Sequence, residues 1–479
     1  MSLCKRVIAR LDVKGTRLIK GIRFEGLRVM GDSREAAINY FNSGVDEILY
    51  IDSVASLYGR NSLTEILKST AKSIFIPITA GGGVRNIEDA ARLLAAGADK
   101  IAVNTACIQN PKLINQLAKE FGSQCIVVSI QARAKPSSQE WECMTEAGRE
   151  RSDVSVIDWI QKVQELGAGE ILLTSVDQDG TCKGPDKKLI NAAADVAEVP
   201  LIVGGGISTV EEIEDSFRKT IITGVSLAAS LHHRKIEVKE IKSRLLSSDF
   251  NIRIPASIKR EELKEKLSDI NVGIIDYGMG NQQSLINAFT EIGLSTCLTS
   301  SVEKLTKTDL LALPGVGSFP KGMEMLKELD LIDFLKDRAE KDHPLIGICL
   351  GMQMLFESGN EFKHTKGLGL IEGEVEMLSV SLKPDTINVL PHVGWNKIYK
   401  HNEAENSCEK SFNQYFVHSY AAIDVPKEYI TYECNYAGND FIAAVNKNCI
   451  SGFQFHPERS GRAGLNLLAD EVLRLVRSQ

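Results

Sequence analysis

Through residues 1 to about 245, short apolar runs alternate with stretches whose apolar positions recur every three or four residues. The runs fall at 47–51, 74–79, 100–104, 125–130, 170–174 and 200–203. They are nearly unbroken rather than alternating, the pattern of parallel strands buried on both faces with helices between them. About eight such units in this length predict a (β/α)8 barrel.

An internal duplication supports that expectation. Gly44-Val-Asp-Glu-Ile-Leu recurs as Gly167-Ala-Gly-Glu-Ile-Leu, and Ile76-Pro-Ile-Thr-Ala-Gly-Gly-Gly-Val as Val199-Pro-Leu-Ile-Val-Gly-Gly-Gly-Ile. Both pairs share one offset of 123 residues (167 − 44 and 199 − 76). One offset over separate segments predicts two half-barrels, each with its own glycine-rich loop.

Residues 246–270 read as a polar, charged linker with a short helical piece around 261–267. A second domain, 271–479, opens with a strand at 272–275 and continues as an α/β pattern, with strands near 310–313 and 345–348. Further β-rich stretches fall at 415–417, 441–445 and 451–455.

The 479 residues suit two domains. Hydrophobic content of 43% and charged content of 25% are globular values. A net charge of −7 gives no reason to expect nucleic acid or an anionic membrane as partner. No apolar run is long enough to span a bilayer, and Met1-Ser2-Leu3-Cys4-Lys5-Arg6 leads into a strand-like run instead of a signal peptide. Ten cysteines without a CxxC pair predict reduced thiols, not disulfides or structural zinc. The expected location is cytoplasmic, with neither metal nor cofactor.

The chemistry concentrates around one cysteine. Pro344-Leu-Ile-Gly-Ile-Cys349-Leu-Gly-Met-Gln-Met-Leu-Phe reads as strand, sharp turn and helix, with Gly347 and Gly351 at G-x-C-x-G spacing. Small neighbours permit a strained turn, and the following helix N-terminus favours a thiolate. Phe453-Gln-Phe-His456-Pro-Glu458 supplies a base and an acid to orient it.

These residues resemble the class I (triad) glutamine amidotransferases, and within them the glutaminase subunits of imidazole glycerol phosphate synthases. Asp276-Tyr-Gly-Met-Gly-Asn281, Pro314-Gly-Val-Gly317, Gly347-Ile-Cys-Leu-Gly-Met-Gln353, His392-Val-Gly-Trp-Asn396 and Phe416-Val-His-Ser-Tyr420 carry the resemblance through 271–479. It implies a flavodoxin-like α/β fold in which Cys349 attacks the glutamine amide, His456 handles the proton and Glu458 orients His456. A γ-glutamyl thioester forms, ammonia leaves, and water releases glutamate. The resemblance puts oxyanion donors at Pro314 to Gly317, among them Gly315, with Gly351 and Gln353 lining the glutamine pocket. Trp395 and His418 have plainer readings, as core packing and as a satisfied loop histidine.

The first domain is similar to the cyclase subunit of the same family, through Ala9-Arg-Leu-Asp12-Val-Lys14, Gly81-Gly-Gly83, Gly97-Ala-Asp-Lys100, Leu173-Thr-Ser175 to Asp179-Gly180, and Gly204-Gly-Gly206. That implies a substrate with a phosphate at each end, converted by ammonia to imidazole glycerol phosphate and an aminoimidazole carboxamide ribotide. Bare backbone N–H groups in two glycine-rich loops can approach phosphate oxygens. Gly82, Gly83, Asn104 and Thr105 are expected at one phosphate site. Asp179, Gly180, Gly205, Ala229 and Ser230 are expected at the other, with Lys20 and Thr174 as further substrate-binding candidates. Arg6, Glu47, Lys100 and Glu170 match the family's charged ring gating ammonia entry at the bottom of the barrel. A purely structural salt-bridge ring is compatible with the same residues. The linker of about 25 residues could reach on the order of 80 Å, ample for the second domain to dock beneath the barrel.

The match breaks at one position. The family places an aspartate in each half-barrel as general acid and base; the first is Asp12, but alignment of 11–14 with 130–133 puts Gln131 in the second place. A neutral amide cannot accept and return a proton. Three readings follow: Asp12 suffices and cyclisation proceeds, the barrel conducts ammonia to a separate sugar amidotransferase, or the barrel senses a phosphometabolite and switches on the glutaminase.

Overall fold

The structure is a computed structural model that describes residues 3–55, 63–136, 138–256, 264, 266–279, 281–379, 390–401 and 412–477. Of the helical piece expected at 261–267, residues 261–263 and 265 lie outside them, as does Gly280 of the 276–281 motif. The chain forms two compact units, one built on Ser2–Ile254 and one on Pro255–Lys383 with Trp395–Gln479.

The first unit is a closed barrel of eight parallel strands: β1 (Arg6–Lys14), β2 (Glu47–Asp52), β3 (Ile78–Gly81), β4 (Lys100–Val103), β5 (Ile126–Ala134), β6 (Glu170–Ser175), β7 (Leu201–Gly204) and β8 (Ile222–Leu227). Each pairs with its chain neighbour, and β8 returns to β1 through Arg6↔Gly224 and Val7↔Val225. Ile8, Leu49, Ala102, Val127, Leu172 and Ile202 fill an apolar layer across the interior. Two hairpins depart from the simple alternation. Arg17–Ile22 with Glu25–Asp32 follows β1, and Trp141–Thr145 with Glu150–Ser155 follows β5.

The duplication is visible in three dimensions. Gly82 (φ +101°) and Gly205 (φ +98°) hold left-handed backbone beyond β3 and β7. A Cβ on Gly82 would run into the Asp52 carbonyl oxygen, and one on Gly205 into that of Ser175. Asp52 and Ser175 end β2 and β6, so the same close approach occurs once in each half. Only glycine satisfies both constraints.

The barrel unit runs past the expected end at 245. Its last long helix spans Val238–Ser247, and Ile252 then bridges to Lys5. Arg253, buried, donates to Asp46 at 2.7 Å and to the carbonyls of Gly44 and Val45. Lys242 reaches the same carboxylate at 2.6 Å, so the first linker residues are tied down by charge pairing that composition does not reveal.

The second unit carries a nine-stranded sheet. Its parallel part comprises β9 (Asn271–Ile275), β10 (Ser295–Thr299), β11 (Leu310–Leu313), β12 (Leu345–Ile348) and β17 (Ile450–Phe453). Four strands extend it: β13 (His392–Lys400), β14 (Phe412–His418), β15 (Ile430–Tyr436) and β16 (Asn439–Lys447). The order is β10-β9-β11-β12-β17-β16-β15-β13-β14. No described helix is long and apolar enough to cross a membrane.

Candidate active sites

Topology brings the cysteine and histidine segments together in the second unit. Strands β12 and β17 are parallel neighbours, with Ile348 opposite Phe453. The residues just beyond their C-terminal ends, Cys349 and His456, therefore emerge at one edge of the sheet, where open α/β sheets place ligands.

Cys349 adopts φ +54° and ψ −110°, outside the comfortable range of an L-residue. Its N–H donates to the Phe453 carbonyl at 2.7 Å, and its carbonyl accepts from Gln353 N at 3.0 Å. The turn requires glycine at 351, because a Cβ there would strike the Leu313 carbonyl. Such strain is the nucleophile-elbow device that pushes the side chain out of the strand line. Cys349 is 5% exposed, with Gln454 Nε2 3.8 Å and the Val417 carbonyl 4.0 Å from Sγ.

His456 Nδ1 lies 2.7 Å from Glu458 Oε1. Its N–H donates to the Tyr415 carbonyl, and its own carbonyl accepts from Ser460 Oγ at 2.6 Å, which fixes the loop. Nε2 makes no hydrogen bond with the described groups, and Cys349 is close enough to act on the ring. Burial opposes the imidazolium, but Glu458 and then Cys349 outweigh it and raise His456 well above the usual histidine value.

Around this edge, Gln353 Nε2 donates to the Tyr420 carbonyl at 2.8 Å and to Gln454 Oε1 at 3.1 Å. Gly315 and Gly317 follow β11, Gly317 at φ +127°, and the Tyr277 hydroxyl donates to Pro314 O at 2.5 Å. Trp395 is fully buried edge-on to Tyr415, a core role. His418 Nδ1 donates to the Tyr420 carbonyl at 2.8 Å, and burial pushes the ring down to about 4, which keeps it neutral.

Sequence reasoning missed Glu361. It accepts from Phe319 N at 2.7 Å, and its charge reaches Tyr420, the residue whose carbonyl holds Gln353. Burial pushes its carboxyl up to about 7. No motif flags it, because a lone glutamate in a loop has no spacing to read.

In the barrel unit, Arg6, Glu47, Lys100 and Glu170 form one fully buried ring. Arg6 donates to Glu47 at 2.9 Å and also to Glu170, while Lys100 bonds Glu47 at 2.8 Å and Glu170 at 2.6 Å. Thr79 and Thr223 add hydrogen bonds to Glu47 and Arg6. Two cations against two anions leave the layer neutral, the condition under which buried charge is tolerable. Burial would raise Glu170, but Arg6 and Lys100 outweigh it and lower its carboxyl.

Among the described residues, two cavities lie at the strands' C-terminal ends. One, of about 160 Å³, is lined by Gly82, Gly83, Asn104, Thr105 and Gln131 among others. The second is lined by Asp179, Gly180, Gly205, Ala229 and Ser230, with the Ser226 and Ser230 hydroxyls buried and unpartnered. Each candidate phosphate group thus gathers at its own cavity. Lys20 and Thr174 both lie in the hydrogen-bond network around Asp12 and Arg10. Lys20 Nζ is taken up by Asp12 at 2.8 Å and Asp179 at 2.8 and 3.0 Å, and Thr174 Oγ1 accepts from Arg10 at 3.1 Å. Asp12 also accepts from Arg10 Nε at 2.8 Å. Gln131 Oε1 is buried without a partner.

Comparison with known proteins agrees with this division. A histidine biosynthesis protein family model matches residues 6–237, and a class-I glutamine amidotransferase model matches residues 273–475. An imidazole glycerol phosphate synthase subunit HisF from Legionella pneumophila is 52% identical over 207 residues, 43% of this chain and 97% of that protein. The subunit of that name from Lactococcus lactis subsp. cremoris is 41% identical over 261 residues, 54% of this chain and 99% of that protein. One from Prochlorococcus marinus is 43% identical over 249 residues, 52% and 97% of the two chains. The chain belongs to the family of the imidazole glycerol phosphate synthase subunit HisF, and the same polypeptide continues into a class-I glutamine amidotransferase domain.

Proposed function

We propose that the chain works as an imidazole glycerol phosphate synthase-like bienzyme. Glutamine is hydrolysed at Cys349, and the ammonia passes through the barrel to a bis-phosphorylated ribulosyl ribotide. The products are imidazole glycerol phosphate and aminoimidazole carboxamide ribotide. The observation that carries the reading is the pair of half-related glycine cradles at one barrel end, in a chain that also holds the Cys349, His456 and Glu458 constellation.

In the glutaminase, His456 takes the thiol proton through Nε2 while Glu458 holds Nδ1, and Cys349 attacks the amide carbon. Backbone donors at Gly315 to Gly317 stabilise the oxyanion. Gln353 and Gly351 line the glutamine pocket, and ionised Glu361 pairs with the α-ammonium. His456 returns its proton to the leaving ammonia, and water then cleaves the thioester. In the barrel, Gly82, Gly83, Asn104 and Thr105 bind one phosphate. Gly180, Gly205, Ala229 and Ser230 bind the other. Of the two half-barrel positions expected to carry acid–base aspartates, Asp12 alone holds a carboxylate and Gln131 does not, so cyclisation is slow. The ring of Arg6, Glu47, Lys100 and Glu170 gates ammonia entry in this reading.

One observation favours a second reading, in which ammonia leaves for a separate acceptor such as a sugar amidotransferase, or the barrel only senses its ligand. Asp12 is ion-paired on both oxygens and Gln131 is neutral. Supplying glutamine and the ribotide, and measuring glutamate and imidazole glycerol phosphate separately, tests the proposal. Both should form. Glutamate without any imidazole product sinks the cyclase half and leaves the glutaminase half standing.

A further inference from the structure

Alternate residues of β1 climb the inside of the barrel. Arg6 sits in the charged ring, Ile8 in the apolar layer, and Arg10 and Asp12 follow at the mouth. Arg10 is the unusual member. It is 3% exposed, lines both mouth cavities, and reaches across the interior to Thr174 on β6. Its guanidinium lies 5.4 Å from the Phe24 ring centroid, under the hairpin that follows β1.

The consequence falls on Asp12. Oδ1 receives Arg10 Nε at 2.8 Å and Oδ2 receives Lys20 Nζ at 2.8 Å, so each oxygen already holds a charge-assisted hydrogen bond. A proton delivered to this carboxylate removes the charge that both cations face; Lys20 keeps Asp179, but buried Arg10 is left hydrogen-bonded to a neutral acid and the Thr174 hydroxyl. Gln131 is neutral, and its Oε1 is an unpartnered acceptor suited to an O–H or N–H of a bound molecule.

We propose that Arg10 is a positioning residue that occupies Asp12 and spans the mouth to Thr174, making this end of the barrel a receptor for a phosphorylated ligand with restrained proton transfer. The inference rests on the mouth being the phosphosugar site described above. Burial alone would raise the Asp12 carboxyl, yet Arg10 and Lys20 outweigh it and hold it well below the usual carboxylate range. Restoring the second carboxylate at Gln131 is then insufficient, because the first remains locked.

The test uses the full chain with ammonium chloride as nitrogen source and the bis-phosphorylated ribulosyl ribotide as ligand. Imidazole glycerol phosphate formation is compared in Gln131→Asp, Arg10→Gln/Gln131→Asp and Arg10→Lys/Gln131→Asp, with ribotide binding followed by calorimetry. The Arg10→Gln double variant should exceed Gln131→Asp by roughly 10²-fold, the scale of a recovered acid–base group. The Arg10→Lys double variant should stay at the Gln131→Asp rate, because its ammonium still pairs with Asp12. Arg10→Met in the same background replaces Arg10→Gln if circular dichroism shows the latter unfolded. Equal rates in all variants, with ribotide binding intact, overturn the role of Arg10 alone. Loss of ribotide binding throughout, Gln131→Asp included, overturns the phosphosugar reading of the mouth and this proposal together. Glutamate release, assayed in parallel, reports on the glutaminase independently of both.

Discussion

His456 Nδ1 and Glu458 Oε1 lie 2.7 Å apart with only Pro457 between them in the chain. Proline fixes the backbone there, and the one-turn 3-10 element Pro457–Arg459 turns the glutamate back onto the ring. The carboxylate thereby selects the tautomer that leaves Nε2 for the thiol. Glu458→Gln keeps the size and loses the charge. Its kcat for glutamate release should fall roughly 10²-fold or more, with KM for glutamine little changed. A change confined to KM would contradict an orienting role.

Cys349→Ala separates the two activities. Glutamate release should disappear, whereas product formed from added ammonium salts should persist. Both rates are read on one protein sample by following glutamate and imidazole glycerol phosphate. Loss of the ammonium-driven rate as well would mean that Cys349 supports the barrel and is not confined to glutamine.

The barrel was legible because its strands are buried on both faces, so the apolar runs near 47–51, 100–104 and 170–174 announce β2, β4 and β6 directly. The Cys349 turn was legible for a different reason: strain there demands glycine at Gly347 and Gly351, and glycine is visible in a sequence. The hairpins at 17–32 and 141–155 were not, since they have no periodic helix to set them off. Nor were the contacts of Arg10 and Glu361. A charged residue's partners are set by contacts between distant strands, such as Arg10 with Thr174, and local pattern carries no trace of them. The 246–256 stretch reads as linker for the same reason, although Arg253 is buried against Asp46.

Glutamine binding should depend on pH through Glu361. Burial pushes this carboxyl up to about 7, above its unfolded value near 4.5. Only the ionised form attracts the α-ammonium of glutamine, so KM should fall as pH rises through about 7, and Glu361→Gln should remove that limb. Stability runs the other way. The folded state holds its proton more tightly, so the favourable contribution is full below the unfolded value and is lost as pH rises through the folded one. Glu361→Gln should therefore gain stability relative to the parent at pH 8 and not at pH 4. Parallel KM profiles in the two proteins would discount Glu361 as a ligand.

The buried ring makes a sharper prediction because its neutrality is so easily broken. Lys100→Met leaves Glu47 and Glu170 facing Arg6 alone, with one carboxylate uncompensated in the barrel interior. Breaking a buried pair in this way costs about 3–5 kcal/mol. Denaturant unfolding followed by the fluorescence of Trp141 and Trp159, both in the barrel unit, should register that loss. Adding Glu170→Gln to Lys100→Met returns the ring to one cation and one anion, and should recover much of the stability through coupling between the sites. A ring that is only structural would stop there. If it also gates ammonia, the stability-restored double variant will still show an altered ratio of glutamine-driven to ammonium-driven product. The size of the opening will have changed although the charge balance has not. An unchanged ratio in a protein of recovered stability would assign Arg6, Glu47, Lys100 and Glu170 to holding the barrel together.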